Sequence, residues 1–167
     1  MKPLNGLGRI TVLGTGLLFM LAPSFSARAA VGDEFRVCAE ELQEAGLSAN
    51  EASAACADAI RPKDLSLCVL SMNQEVGVDA NEALSNCFRD RRPLELATCV
   101  IEINDFIEVE NLSLMVENCR RSALPLRYSD CVVGLTDTAG EEITPSQAIE
   151  DCISAEDFPR ALSPSQR

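Results

Sequence analysis

Past its first thirty residues the chain places apolar side chains at helical spacing rather than in strand-like alternation. Counted from Cys38, Cys68, Cys99 and Cys131, one apolar residue stands three positions before (Phe35, Leu65, Leu96, Tyr128) and one four positions after (Leu42, Met72, Ile103, Leu135). With 3.6 residues per turn, each cysteine lies on the apolar stripe of its own helix. A second set of helices runs through Cys56, Cys87, Cys119 and Cys152, with Ala52, Ala83, Met115 and Ala148 one turn earlier. The pattern predicts pairs of amphipathic helices whose cysteines face inward.

The cysteines fall at spacings of 18, 12, 19, 12, 20, 12 and 21, so the chain repeats about every 31 residues. Capping residues keep the same rhythm. Ser48, Asp79, Asn111 and Thr144 each stand eight before a second-helix cysteine, and all four are residues whose side-chain oxygen can accept from an orphan N–H at a helix start. Glu51, Glu82 and Gln147 follow three residues later and would complete capping boxes; Leu114 breaks the third. Leu47, Val78 and Ile143 precede the caps as hydrophobic staples. Pro62, Pro93 and Pro125 each stand six residues from the cysteine on either side, where proline suits the first position of the next helix. Asp64 and Glu95 add negative charge to those helix starts, and Gly46 and Gly77 end two of the first helices.

The expected fold is all-α: four tandem disulfide-stapled helical hairpins in a short solenoid-like array. The units span about 33–61, 62–92, 93–124 and 125–159 within a domain 30–160, followed by a flexible tail 161–167. The block Pro62 to Val69 reads Pro-x-Asp-Leu-Ser-x-Cys-Val. With its repetition, the chain resembles the small exported cysteine-repeat helical proteins of cyanobacterial type. That resemblance spans the whole of the chain after residue 29 and implies no particular activity.

The first 29 residues read as a signal peptide. Lys2 and Arg9 precede an apolar stretch from Ile10 to Ala22, Pro23 breaks it, and Ala27-Arg28-Ala29 offers small residues for cleavage. The stretch is too short to span a bilayer. Cleavage leaves 11 basic against 26 acidic residues, all eight cysteines, no Trp and no His. Such an acidic chain is not expected to bind nucleic acid or anionic membranes. Eight cysteines in an exported chain poor in aromatics point to a disulfide framework. Pairing within units (38–56, 68–87, 99–119, 131–152) uses every cysteine at matched height on antiparallel helices. Pairing across the proline turns (56–68, 87–99, 119–131) strands Cys38 and Cys152 at opposite ends. The first scheme is the expected one.

Candidate chemistry is sparse. Without histidine the commonest general base is missing, and there is no Cys-x-x-Cys, no metal-type cysteine spacing and no Gly-rich phosphate loop. No cofactor, metal or catalytic residue is expected. Glu40, Glu41 and Glu44 read as a solvated face, and Asp137, Glu141 and Glu142 as an acidic loop without EF-hand spacing. Arg89, Arg91 and Arg92 follow Cys87, and Arg120 and Arg121 follow Cys119; they suit helix C-termini or an acidic partner. The third unit is the most apolar, with Ile103, Phe106 and Ile107. The sequence therefore points to a secreted or periplasmic, non-catalytic protein-binding or scaffold module whose partner is another exported or cell-surface protein. Its expected contact residues are Ile103, Phe106, Ile107, Arg89, Arg92, Arg120 and Arg121. A thiol–disulfide redox or sensing protein and a secreted peptidase inhibitor are the alternatives.

Overall fold

In the computed structural model the described residues are 32–139 and 143–156. The expected signal peptide (1–29), the tail (161–167) and Glu141 and Glu142 of the acidic loop lie outside them. The described residues form eight helices and no strand: α1 (Asp33–Glu44), α2 (Ala49–Asp58), α3 (Pro62–Ser71), α4 (Ala80–Arg89), α5 (Pro93–Phe106), α6 (Leu112–Arg121), α7 (Pro125–Ala139) and α8 (Pro145–Glu156). They pair as four hairpins. α1, α3, α5 and α7 pack closely on one another in a continuous row, whereas the second helices touch their counterparts far less. The array is tight along the first helices and open between the second.

Local chemistry sets the element ends. Pro62 and Pro93 occupy helix starts, where their missing N–H removes no internal hydrogen bond. Ser48 accepts from Glu51 N–H while Glu51 reaches back to Ser48 N–H at 3.0 Å. Asp79 accepts from Asn81 and Glu82 N–H, but Glu82 does not return the bond, so the expected box there is only half formed. Asn111 and Thr144 accept from Leu114 and Gln147 N–H at 3.0 and 3.2 Å. α1 ends through Gly46 (φ 105), which lets Leu47 N–H bond Leu42 C=O at 3.1 Å. α3 widens into a π turn over Met72–Val76 and ends at Gly77 (φ 80).

Each hairpin is stapled once: Cys38–Cys56, Cys68–Cys87, Cys99–Cys119 and Cys131–Cys152, with Cα separations of 5.9–6.0 Å. Helices of 10 to 15 residues are marginal alone. Closing loops of 18 to 21 residues adds on the order of 3 kcal/mol per bridge. The bridges are also core: seven of the eight cysteines are buried, and Met72 lays its thioether 3.7 Å from Cys87 Sγ. Four disulfides suit an oxidising extracellular or periplasmic environment. Among the described residues no helix is long and apolar enough to cross a membrane.

Polar contacts repeat at the joints between units. Ser66, fully buried, donates to the Glu41 carboxylate at 2.5 Å, and Ser129 donates likewise to Glu102. Gln74 donates to Glu44 at 3.0 Å. Glu41 and Glu44 thus bind the second unit rather than forming the plain solvated face that their charge suggests. Arg61 donates to the Arg91 carbonyl at 2.6 Å, and Arg92 to the Ala123 carbonyl one unit further on. Two stripe residues depart from expectation: Phe35 is 49% and Leu135 36% exposed. They sit on α1 and α7, and among the described residues no helix covers the outer faces of those two.

Candidate interaction surface

Alternating helix direction gives the array two chemically different ends. At one end lie the proline turns, where second helices finish and first helices begin; at the other lie the turns within hairpins. All nine described Lys and Arg residues stand on the proline-turn side: Arg36, Arg61, Lys63, Arg89, Arg91, Arg92, Arg120, Arg121 and Arg127. The opposite side carries Glu44, Glu75, Asp79, Asp105, Glu108 and Glu110 without a described cation among them. In a chain of net charge −12, the scarce positive charge is gathered at one end.

Some of these cations already have partners. Arg61 pairs with Asp64 and Arg92 with Glu95, both at 2.9 Å, each fixing the start of its helix. Arg120 pairs with Glu117 at 2.6 Å; this hydrogen bond holds the Glu117 carboxyl below its ordinary range and raises the Arg120 guanidinium. Arg89, Arg91 and Arg121 form no ion pair among the described residues. Arg89 and Arg121 stand in the last turns of α4 and α6, where a cation also offsets the helix dipole.

The openness between second helices creates a groove of about 410 Å³ between the ends of α2 and α4. Asp58 to Arg61 form one wall, Cys87 to Arg91 the other, and Leu65 and Pro93 also line it. Ile60 is 98% exposed and Phe88 46%, so the groove's walls present apolar surface beside Arg61, Arg89 and Arg91. Leu94 and Leu124 add exposed apolar area at the same end.

The expected contact residues do not make one surface. Ile103 and Ile107 are buried, because their side chains fill the core beneath the third hairpin; a partner cannot touch them. Phe106 is 75% exposed but closes α5 at the hairpin-turn end. Fourteen helical residues, about 20 Å at 1.5 Å each, separate it from Arg89, Arg92, Arg120 and Arg121. Of those four, Arg92 and Arg120 are engaged within the fold. Ile60 and Phe88 were not among the expected residues. Ile60 stands in a turn two residues before a proline, and Phe88 directly follows its cysteine where the other units have Ala57, Arg120 and Ile153. An apolar residue off every stripe was the available signal.

The remaining chemistry is internal. All eight cysteines are bridged, and among the described residues no cluster of three or more His, Cys, Asp or Glu is placed to hold a metal. Tyr128, buried between the third and fourth units, donates to the Ile149 carbonyl at 3.0 Å, and burial pushes its phenol up to about 12. The chain matches no protein-family model, no curated protein and no solved structure.

Proposed function

We propose that this chain is an exported, non-catalytic binding or scaffold module that presents the proline-turn end of a stapled helical array to another protein. The observation that carries the reading is the exposed apolar groove of Ile60 and Phe88, lined also by Arg61, Arg89 and Arg91, on the side of the array that holds all nine described cations of an acidic chain. Contacts that combine a buried apolar anchor with arginines at the rim are typical of protein recognition. The disulfides support a rigid surface, since side chains held on stapled helices lose little freedom on binding. Export is supported by the leader-like first 29 residues and by the cysteine pairing. A redox role needs accessible sulfur, and seven of the eight cysteines are buried, which favours the binding reading.

A photo-crosslinking residue placed at Ile60 or Phe88 tests this in the exported fraction, with Glu150, exposed midway along α8 and away from both ends, as the control position. Adducts with a partner chain, whether another protein or a second copy, are expected from the first two positions and not from the third. Equal labelling at all three positions, or none, refutes the assignment of the binding end.

A further inference from the structure

We infer that the groove between α2 and α4 receives the Phe106 turn of a second copy of this chain, so that copies join head to tail. The inference rests on the binding reading above and names the occupant.

The two features complement each other. The groove offers apolar walls at Ile60 and Phe88 within about 410 Å³, and Arg61, Arg89 and Arg91 around them. Arg61 is paired with Asp64, and the groove's own carboxylates are Asp58 and Asp90, so the arginines that form no ion pair among the described residues are Arg89 and Arg91. The Phe106 turn offers one aromatic ring, 75% exposed, beside Asp105, Glu108 and Glu110. No Lys or Arg occurs anywhere from Pro93 to Cys119. The ring is held in place: Ile107 behind it is buried and its N–H bonds Ile103 C=O at 3.0 Å.

Geometry forbids the contact within one molecule. Phe106 ends α5 at the hairpin-turn end, whereas the groove opens at the proline-turn end. Only two copies can bring them together. With 11 basic against 26 acidic residues the exported chain repels random approach, and a contact that sets arginines of the groove against a cation-free acidic turn is an orientation in which charge assists. Because donor and acceptor are different patches, the contact is heterologous and leaves a free donor at one end and a free acceptor at the other. The result is an open chain of copies rather than a closed dimer.

The test is sedimentation velocity on the oxidised exported chain. The average mass is expected to rise with concentration at low salt and to fall back as salt screens the charges. Phe106→Ser removes the donor, and Arg89→Glu with Arg91→Glu reverses the acceptor; all three side chains are exposed, and the Arg91 carbonyl that Arg61 uses is backbone. Each variant is expected to be monomeric alone. Mixed in equal amounts, they are expected to form a one-to-one dimer and nothing larger, because one keeps only an acceptor and the other only a donor. Circular dichroism checks that both remain helical. A wild-type chain that stays monomeric up to about 1 mM overturns the inference, as does a mixture that fails to dimerise or a variant that associates like wild type. Crosslinks from Phe88 to another protein alongside a monomeric chain would overturn the second copy as occupant while sustaining the binding reading.

Discussion

Tyr128 gives a direct readout of the packing between the third and fourth units. It is the single tyrosine of a chain that has no tryptophan, so tyrosinate absorbance reports one site. The phenol is 1% exposed, donates to the Ile149 carbonyl, and is pushed up to about 12 chiefly by burial. The unfolded chain ionises near the ordinary tyrosine value of about 10. A group raised in the folded state contributes stability that is complete below about pH 10 and is lost as pH rises to about 12. Two pH units correspond to roughly 3 kcal/mol at 1.36 kcal/mol each. Tyr128→Phe removes that dependence and also two hydrogen bonds, the one donated to the Ile149 carbonyl and the one from the buried Asn118 side chain, which together cost about 2 kcal/mol. The variant should therefore be less stable than wild type at neutral pH by about 2 kcal/mol and more stable at high pH by about 1 kcal/mol. Urea titrations of the two proteins in parallel test this, since alkaline effects on the disulfides are common to both. A native tyrosinate midpoint near 10, or stability curves that never cross, would mean that the phenol is in water and that the fourth hairpin is not docked as described.

Two further perturbations probe the staples and caps. Replacing both cysteines of one bridge with alanine should cost about 3 kcal/mol at each of the four sites, because loops of 18 to 21 residues differ little in closure entropy; urea midpoints that vary widely between units would show that packing with neighbours, not loop closure, sets the cost. Ser48→Ala should cost about 1 kcal/mol at neutral pH. It should also raise the Glu51 carboxyl, which the Ser48 hydroxyl and then the Ser48 N–H hold below its ordinary range. A lowered carboxyl stabilises above its unfolded pKa and loses that contribution as pH falls through its folded one, so the wild-type chain should keep its cap at more acid pH than the variant, and an unchanged Glu51 titration by NMR would contradict the bond that the Ser48 hydroxyl donates to Glu51.

The helical pairs, their caps and their staples were legible because each depends on groups a few residues apart. Proline removes a donor wherever it stands, and Ser48 needs only Glu51 three residues on. The joints were not legible, because Ser66 to Glu41 and Arg61 to Arg91 lie 25 and 30 residues apart and meet only once the rise between units is known. Nothing in Glu41 itself distinguishes it from its solvated neighbour Glu40 until the second unit arrives with a buried serine.

The candidate surface failed for a different reason. Cys99, Ile103 and Phe106 lie on one stripe by helical period, yet Ile103 is buried and Phe106 is exposed. Periodicity gives direction around a helix and says nothing of whether a neighbour extends far enough along the axis to meet the side chain. The repeat supplies that missing coordinate. The position seven after the first cysteine is Ala45, Glu75, Phe106 and Thr138 in the four units, and it is buried in the first alone. A column that tolerates Glu and Thr lies past the core, so a phenylalanine there gains nothing from the fold. Reading down the columns of a repeat therefore separates apolar residues that the fold uses from those it leaves at the surface, and Phe106 belongs to the second kind.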